Sequence, residues 1–284
     1  MNKASVDHMH PTKPSSSPKS TNGLLSRAFR PREKITFTEK NVLSVAGVVV
    51  FFAVWITVSA TGLVPAFFLP APIDVATKLF RIIAEDGFLF DIWASTARIM
   101  GGFFLAAALA IPIGVVMGNF PFFRAFLEPL FGAARYLPAS AFIPLLIIWL
   151  GIGEDQKWAV IFIGVFFPLT LMIADTAATV SKDLVNSAYT LGAKSRQVFA
   201  KILIPACLPA VVDNLRITMG IAWTYVIVAE LVGAERGIGI AILQAQRFLQ
   251  TDQVIAGIVT VGIMGVITDI AFRVLHRKLF AYLY

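Results

Sequence analysis

Few residues in this chain have the types and spacing that chemistry requires. Cys207 is the only cysteine, which excludes an intramolecular disulfide or a cysteine-rich metal site. The three histidines, His8, His10 and His276, lie outside the long uncharged stretches, so no histidine cluster for a metal or proton relay is expected within them. No serine, cysteine or histidine constellation for nucleophilic chemistry can be assembled. Nor is there a G-x-x-x-x-G-K-[ST] loop to cradle ATP phosphates, so no cofactor is expected on this chain. What remains are polar groups set in apolar sequence: Arg98, Asp213 with Arg216, the Trp223-Thr224-Tyr225 run, and Glu230. If those stretches cross a bilayer, such charges mark a path for substrate or ions. Arg98 then either lines an anion path or snorkels from the end of its span. Trp223, Thr224 and Glu230 either flank a central pathway, replacing part of an ion's hydration, or serve as interfacial anchors and a surface carboxylate. Asp213 and Arg216, at i and i+3, and Asp269 and Arg273, at i and i+4, are spaced to pair on helix faces.

The elements that position these groups follow from hydropathy. Of the 284 residues, 57% are apolar and 14% charged, with a mean hydropathy of +0.78. A soluble domain carries about a quarter charged residues. The uncharged residues come in blocks: 33 between Lys40 and Asp74, 25 between Arg98 and Arg124, 18 between Arg135 and Glu154, 17 between Lys157 and Asp175. A bilayer core takes about 20 predominantly apolar residues per helix, so the blocks read as spans and the class as an all-α, polytopic membrane protein. The net charge of +7 does not imply nucleic acid, because the basic residues concentrate in the tail and the loops.

The spacing predicts six spans, over about 42–60, 96–117, 136–150, 158–177, an interrupted 202–229, and 254–272. Thr36 and Glu39 form a capping box ahead of the first. Residues 1–34, rich in Ser, Pro and Lys, read as a disordered basic cytoplasmic tail, although such a composition also suits an organellar transit peptide. Residues 35–284 form the transmembrane domain. Residues 74–85 are amphipathic, with Val75, Leu79, Ile82 and Ile83 on one face, and are expected at the membrane surface. With both termini on the cytoplasmic side, the inner segments hold 17 Lys and Arg and the outer segments 5, which sets the orientation by the positive-inside rule. The main cytoplasmic loop then falls at about 178–205.

That loop carries the pattern Asn186-Ser187-Ala188, three residues, Gly192, nine residues, Ile202, one residue, Ile204-Pro205. Residues 183–191 are expected as a short helix bearing Leu184, Ala188 and Leu191 on one side. Gly192 would end it in the left-handed conformation, and Ser195 would cap a second helix. A helix-turn-helix with a small Ala at its centre is a knob for another protein's groove; the alternative is a surface helix touching only lipid head groups. The spacing resembles the cytoplasmic loop of ABC-transporter permeases, whose pattern is Glu-Ala-Ala, Gly, then Ile-x-Leu-Pro. Here Asn186 and Ser187 replace the Glu and first Ala, and Ile204 replaces the Leu.

The resemblance extends over about 70–280. It includes Arg98-Ile-Met-Gly101-Gly102-Phe, Pro138-Ala-Ser-Ala-Phe-Ile-Pro144-Leu, Gly151-Ile-Gly153, Ala222-Trp-Thr-Tyr-Val-Ile-Val-Ala229-Glu230-Leu and Arg247-Phe-Leu-Gln-Thr251-Asp252. These look like the importer branch for nitrate, bicarbonate, taurine and aliphatic sulfonates. The resemblance implies a type I ABC importer permease of the inner membrane, forming a homodimer. Partner ATPase subunits would hold ATP and Mg, and an extracytoplasmic binding protein would deliver the anion. It also implies ATPase-coupling roles for Asn186, Ser187, Ala188, Leu191, Gly192, Ile202 and Pro205. The rival reading, an ion-coupled secondary transporter, needs a midplane carboxylate cluster or internal repeats, and the sequence displays neither.

Overall fold

The computed structural model describes residues 36–283, so the tail reading for residues 1–34 lies outside the described residues. Two compact units divide between Val54 and Trp55. Within the first, the helix α1 (Phe37–Ala60) begins as the capping box predicts, the Glu39 carboxylate accepting from the Thr36 N–H at 2.9 Å. The second unit holds the helices α2 (Pro72–Ala84), α3 (Phe88–Asn119), α4 (Pro121–Ala134), α5 (Ile143–Leu150), α6 (Glu154–Ala178), α7 (Lys182–Thr190), α8 (Ser195–Val198), α9 (Ile204–Glu230), α10 (Ile238–Arg247) and α11 (Thr251–Leu279).

Among the described residues, five helices are long and apolar enough to cross a membrane: α1, α3, α6, the continuous Ser195–Glu230 segment, and α11. The third predicted span, 136–150, is not one helix. It is a 3₁₀ turn (Ala139–Phe142) followed by the eight-residue α5, and together with α4 it makes a broken pair bent by 81°. Eight residues rise about 12 Å, far short of a bilayer core of about 30 Å. Pro138 stands ahead of the 3₁₀ turn and fixes the break, because it lacks the N–H that would continue the helix from α4. The helix α4 itself is absent from the sequence reading, because Arg124, Glu128, Pro129 and Arg135 interrupt its apolar run.

The core joins α3, α6 and α9. Ile99, Phe103, Ala106 and Ala110 of α3 meet Ile161, Val165, Leu169 and Ile173 of α6, and Met219, Ala222 and Val226 of α9. All three sets step by three or four residues, the stripe a helix presents to its neighbours. Small residues along α3 let the backbones approach. At Gly114 an added Cβ would lie 2.7 Å from the Thr170 carbonyl and 2.8 Å from the Ile173 Cβ. Gly114→Val is therefore expected to lower stability by about 1–3 kcal/mol through overpacking. Thermal unfolding in detergent measures it, and a midpoint equal to wild type would show that the two helices part easily.

The amphipathic face of residues 74–85 is as predicted, but its partner is protein. Val75 and Ile82 are buried, Leu79 and Ile83 pack on the same core, and α2 lies along α11. The interruption at 213–216 does not break α9. The Asn214 amide donates to Thr176 at 2.8 Å, and Arg216 pairs with Asp213 at 3.7 Å and with Asp269 of α11 at 3.6 Å. Asp269 also binds Arg273, and His276 lies 3.8 Å from Asp213, so the two pairs predicted separately form one network. Partnered in this way, the polar side chains remain compatible with a continuous helix.

Candidate functional site

The loop between α6 and α9 builds a short, tightly capped helix. The Ser181 hydroxyl accepts from the Asp183 N–H at 3.2 Å and starts α7. At the other end Gly192 has φ +82°, and two bonds close the turn: Gly192 N–H to the Tyr189 carbonyl at 2.9 Å and Ala193 N–H to the Ala188 carbonyl at 3.0 Å. This is the Schellman pattern, and it turns the chain directly into α8. Ser195 does not cap α8, because it is already the first helical residue; the Gln197 side chain instead accepts from the Lys194 N–H at 2.9 Å.

A π-helical segment (Phe199–Leu203) joins α8 to α9 and holds Ile202. Pro205, just inside α9, cannot donate a backbone hydrogen bond, and the Ile204 N–H reaches back five residues to Phe199. Asn186, Ser187, Gly192 and Pro205 are exposed, Leu191 is 87% exposed, and Ile202 is half-buried. Ala188 differs from the expectation. It is 7% exposed and faces its own chain, so the outward surface of α7 is made by Leu184, Ser187 and Leu191 instead. A cleft of about 320 Å³, lined by Asn119, Ala178, Asn186, Tyr189 and Phe199 among others, separates α7 from the ends of α3 and α6.

At the opposite end of the bundle, where α3 and α6 begin and α9 finishes, polar groups converge on Arg98. The residue is 5% exposed and does not snorkel. Its guanidinium donates to both carboxylate oxygens of Glu154, at 2.6 and 2.8 Å, to Glu230 at 2.8 Å and to the Arg236 carbonyl at 2.6 Å. Glu230, fully buried rather than a surface carboxylate, accepts further from the Ser95 hydroxyl at 2.7 Å and the Gly239 N–H at 2.7 Å. Ser95 in turn accepts from the Ile238 N–H at 2.9 Å, and Asp91 from the Gly237 N–H at 3.0 Å. The N–H of Gly237, the N-cap residue, and the first two N–H groups of α10 are thus capped by side chains from α3 and α9.

Lys157 completes the cluster. It is 1% exposed, donates to the Gly153 carbonyl at 2.9 Å and lies 3.7 Å from Glu154. Arg98, Glu154, Lys157, Glu235 and Arg236 line a cleft of about 480 Å³.

The other predicted pathway residues do not join this cluster. Trp223 is 2% exposed and donates to Thr268 at 3.3 Å, while Thr224, next along α9, is exposed. Sequence reasoning brought Arg98 and Glu230 into view but missed Ser95, Glu154, Lys157 and the α10 amides. A usable signal was present: an arginine within apolar sequence demands acids, and Glu154 and Glu230 flank the neighbouring spans. Among the described residues no group of His, Cys, Asp and Glu is arranged to hold a metal ion.

Comparison with known proteins agrees with this architecture. The chain is 36% identical to the taurine transport system permease protein TauC of Escherichia coli (strain K12), over 84% of this chain and 88% of that one. It is 29% identical to the nitrate import permease protein NrtB of Synechocystis sp. (strain ATCC 27184 / PCC 6803 / Kazusa), over 88% of this chain and 93% of that one. In fold it is similar to a chain of the inward-facing MetNI methionine ABC transporter, with a TM-score of 0.60 at 20% identity, covering 67% of this chain and 95% of that one. Residues 110–281 match the family described as binding-protein-dependent transport system inner membrane component. The long apolar helices and the likeness to transport permeases over most of the chain lead to one conclusion: the chain belongs to that family, as an inner-membrane ABC importer permease.

Proposed function

We propose that the chain is the permease of an ATP-driven importer for a small oxyanion, of the sulfonate, nitrate or bicarbonate class, working by alternating access as a homodimer. The observation that carries the reading is α7. It is a nine-residue helix with an exposed Ser187 and an exposed Leu191 at its C-cap, fixed by its Gly192 turn to a segment that runs from Ser195 to Glu230. A displacement of α7 is therefore delivered to a helix that ends in the Arg98 cluster. In this reading, cytoplasmic ATPase subunits holding ATP and Mg grip the outward face of α7, and the residues from Asn186 to Gly192 with Ile202 and Pro205 transmit their closure. The spans of two copies rock about a shared cavity, onto which Thr224 and the neighbouring surface of α9 open. Arg98 and Glu230 frame the far end of that path, and Trp223 holds α9 to α11. An extracytoplasmic binding protein delivers the anion, and both termini are cytoplasmic, in line with the count of 17 basic residues against 5.

Two measurements test this. Cysteines at Ser187 and Gln250 in a Cys207→Ala background are expected to label oppositely with an impermeant reagent applied to intact cells, with position 250 reacting and position 187 protected. The reverse pattern would invert the orientation. Proteoliposomes containing the permease and its ATPases are expected to accumulate taurine, an alkanesulfonate or nitrate only with ATP inside the compartment facing the ATPases and loaded binding protein on the other side. Uptake that continues without ATP and collapses with an ion gradient would overturn the importer reading.

A further inference from the structure

The geometry points to a small-oxyanion site inside a single permease, in the cleft between the starts of α3 and α6, with Glu154 as a resident carboxylate that the incoming anion displaces from Arg98 and Lys157. The inference rests on the importer reading for the class of anion but on this cleft alone for the site. Two cations, Arg98 and Lys157, are more than nine-tenths buried and both reach a cleft of about 480 Å³. Burying two cations without matched acceptors is costly, so each should be fully satisfied.

Arg98 places four of its five donors, on Glu154, Glu230 and the Arg236 carbonyl. Lys157 is served less well: its ammonium carries three donors, yet the structure gives it one hydrogen bond, to the Gly153 carbonyl, with Glu154 at 3.7 Å, beyond hydrogen-bonding range. For its other two donors the structure gives no acceptor nearer than Glu154, at 3.7 Å, and both side chains line the cleft.

The two acids on Arg98 are also unequal. The Glu230 side chain is 0% exposed, and its remaining bonds to Ser95 and Gly239 fix it in place. The Glu154 side chain is 54% exposed, stands in the first turn of α6 and is held only by Arg98 and the distant Lys157. Swinging it into water costs little solvation, and the exchange conserves charge, one carboxylate leaving as one monoanion enters. A planar nitrate or a sulfonate presents two oxygens to the Arg98 fork and a third to Lys157, matching the donors that Glu154 fills incompletely. Arg236 at the rim adds attraction and Glu235 beside it limits access to anions of low charge.

The test uses the full chain with its ATPase subunits in nanodiscs of zwitterionic lipid and no binding protein, titrated with methanesulfonate or nitrate against chloride at equal ionic strength. Anion-dependent thermal stabilisation is the readout. Wild type is expected to bind weakly and saturably. Glu154→Gln removes the resident charge and should bind roughly tenfold tighter or better, as expected for a freed charge-assisted pair. Lys157→Met added to Glu154→Gln should lose at least that gain, and Lys157→Arg should keep part of it.

Failure of Glu154→Gln to tighten binding overturns the site. So does a Lys157→Met double variant that binds as well as the single one, or chloride acting equally. Stabilisation seen only in nanodiscs of anionic lipid would assign the cations to a lipid phosphate instead and equally refute the proposal. A permease that binds here but imports no oxyanion would sink the importer reading and keep the site; one that imports without binding here would sink the site alone.

Discussion

Arg98→Leu should yield almost no folded permease. The substitution leaves Glu230 fully buried with its charge uncompensated and strips the Arg236 carbonyl of its donor. Breaking a buried pair from one side costs about 3–5 kcal/mol, a large part of the stability of about 5–15 kcal/mol that a domain has to lose. The damage should spread, because the Glu230 oxygens also hold Ser95 and the first turn of α10. Glu230→Leu should be less severe, since Arg98 keeps the Glu154 fork. The double variant Arg98→Leu with Glu230→Leu should be milder than Arg98→Leu alone, as replacing both members of a buried pair with apolar groups removes the stranded charge. Size-exclusion recovery and thermal midpoints in detergent, arranged as a double-mutant cycle, decide it. Strictly additive effects, or an Arg98→Leu protein of normal stability, would show that the cluster is an ornament of the fold rather than its tie.

Gly192→Val should abolish transport while leaving insertion intact. No atom crowds a Cβ at this position, so the whole effect is conformational: valine at φ +82° is strained by about 1–2 kcal/mol. That strain falls on a nine-residue helix whose C-terminal end depends on the two bonds of the Gly192 turn. Ala188→Trp should act at the same place by a different route, since the indole cannot fit where Ala188 is 7% exposed. Both variants are expected to purify as inserted protein with uptake near background and ATP hydrolysis no longer stimulated by loaded binding protein. Gly192→Asn, whose side chain tolerates the left-handed region, should retain much of the activity. Normal uptake by the valine variant would mean that α7 does not transmit the ATPase stroke.

Long, strongly apolar helices were legible in the sequence because twenty residues without charge have few places to go other than a bilayer. The Gly192 turn was legible because a left-handed residue after a short amphipathic run is a local matter. Three features were not legible, and each depends on a partner distant in sequence. The break at Pro138 divides a block whose composition alone allowed a single span. Ala188 turned inward because α7 rests on α8 and the π-helical segment, a contact that no periodicity within nine residues reveals. Arg98 had equal claim to a pathway or an interface until Glu154 and Glu230, 56 and 132 positions away, came within 3 Å. Spacing gives the face of an element; it does not give what that face meets.

The π-helical segment at Phe199–Leu203 has a mechanical meaning. Each residue of an α-helix advances the azimuth by about 100°, so one surplus residue absorbed in a wide turn resets the angular phase between everything before it and everything after it. The segment is in effect the keyed coupling of a drive shaft, setting the bearing of α7 relative to the α9 face that carries Trp223 and Glu230. Deleting one residue there would preserve every side chain of the driver and the driven helix, yet point the stroke about a quarter turn away from the load.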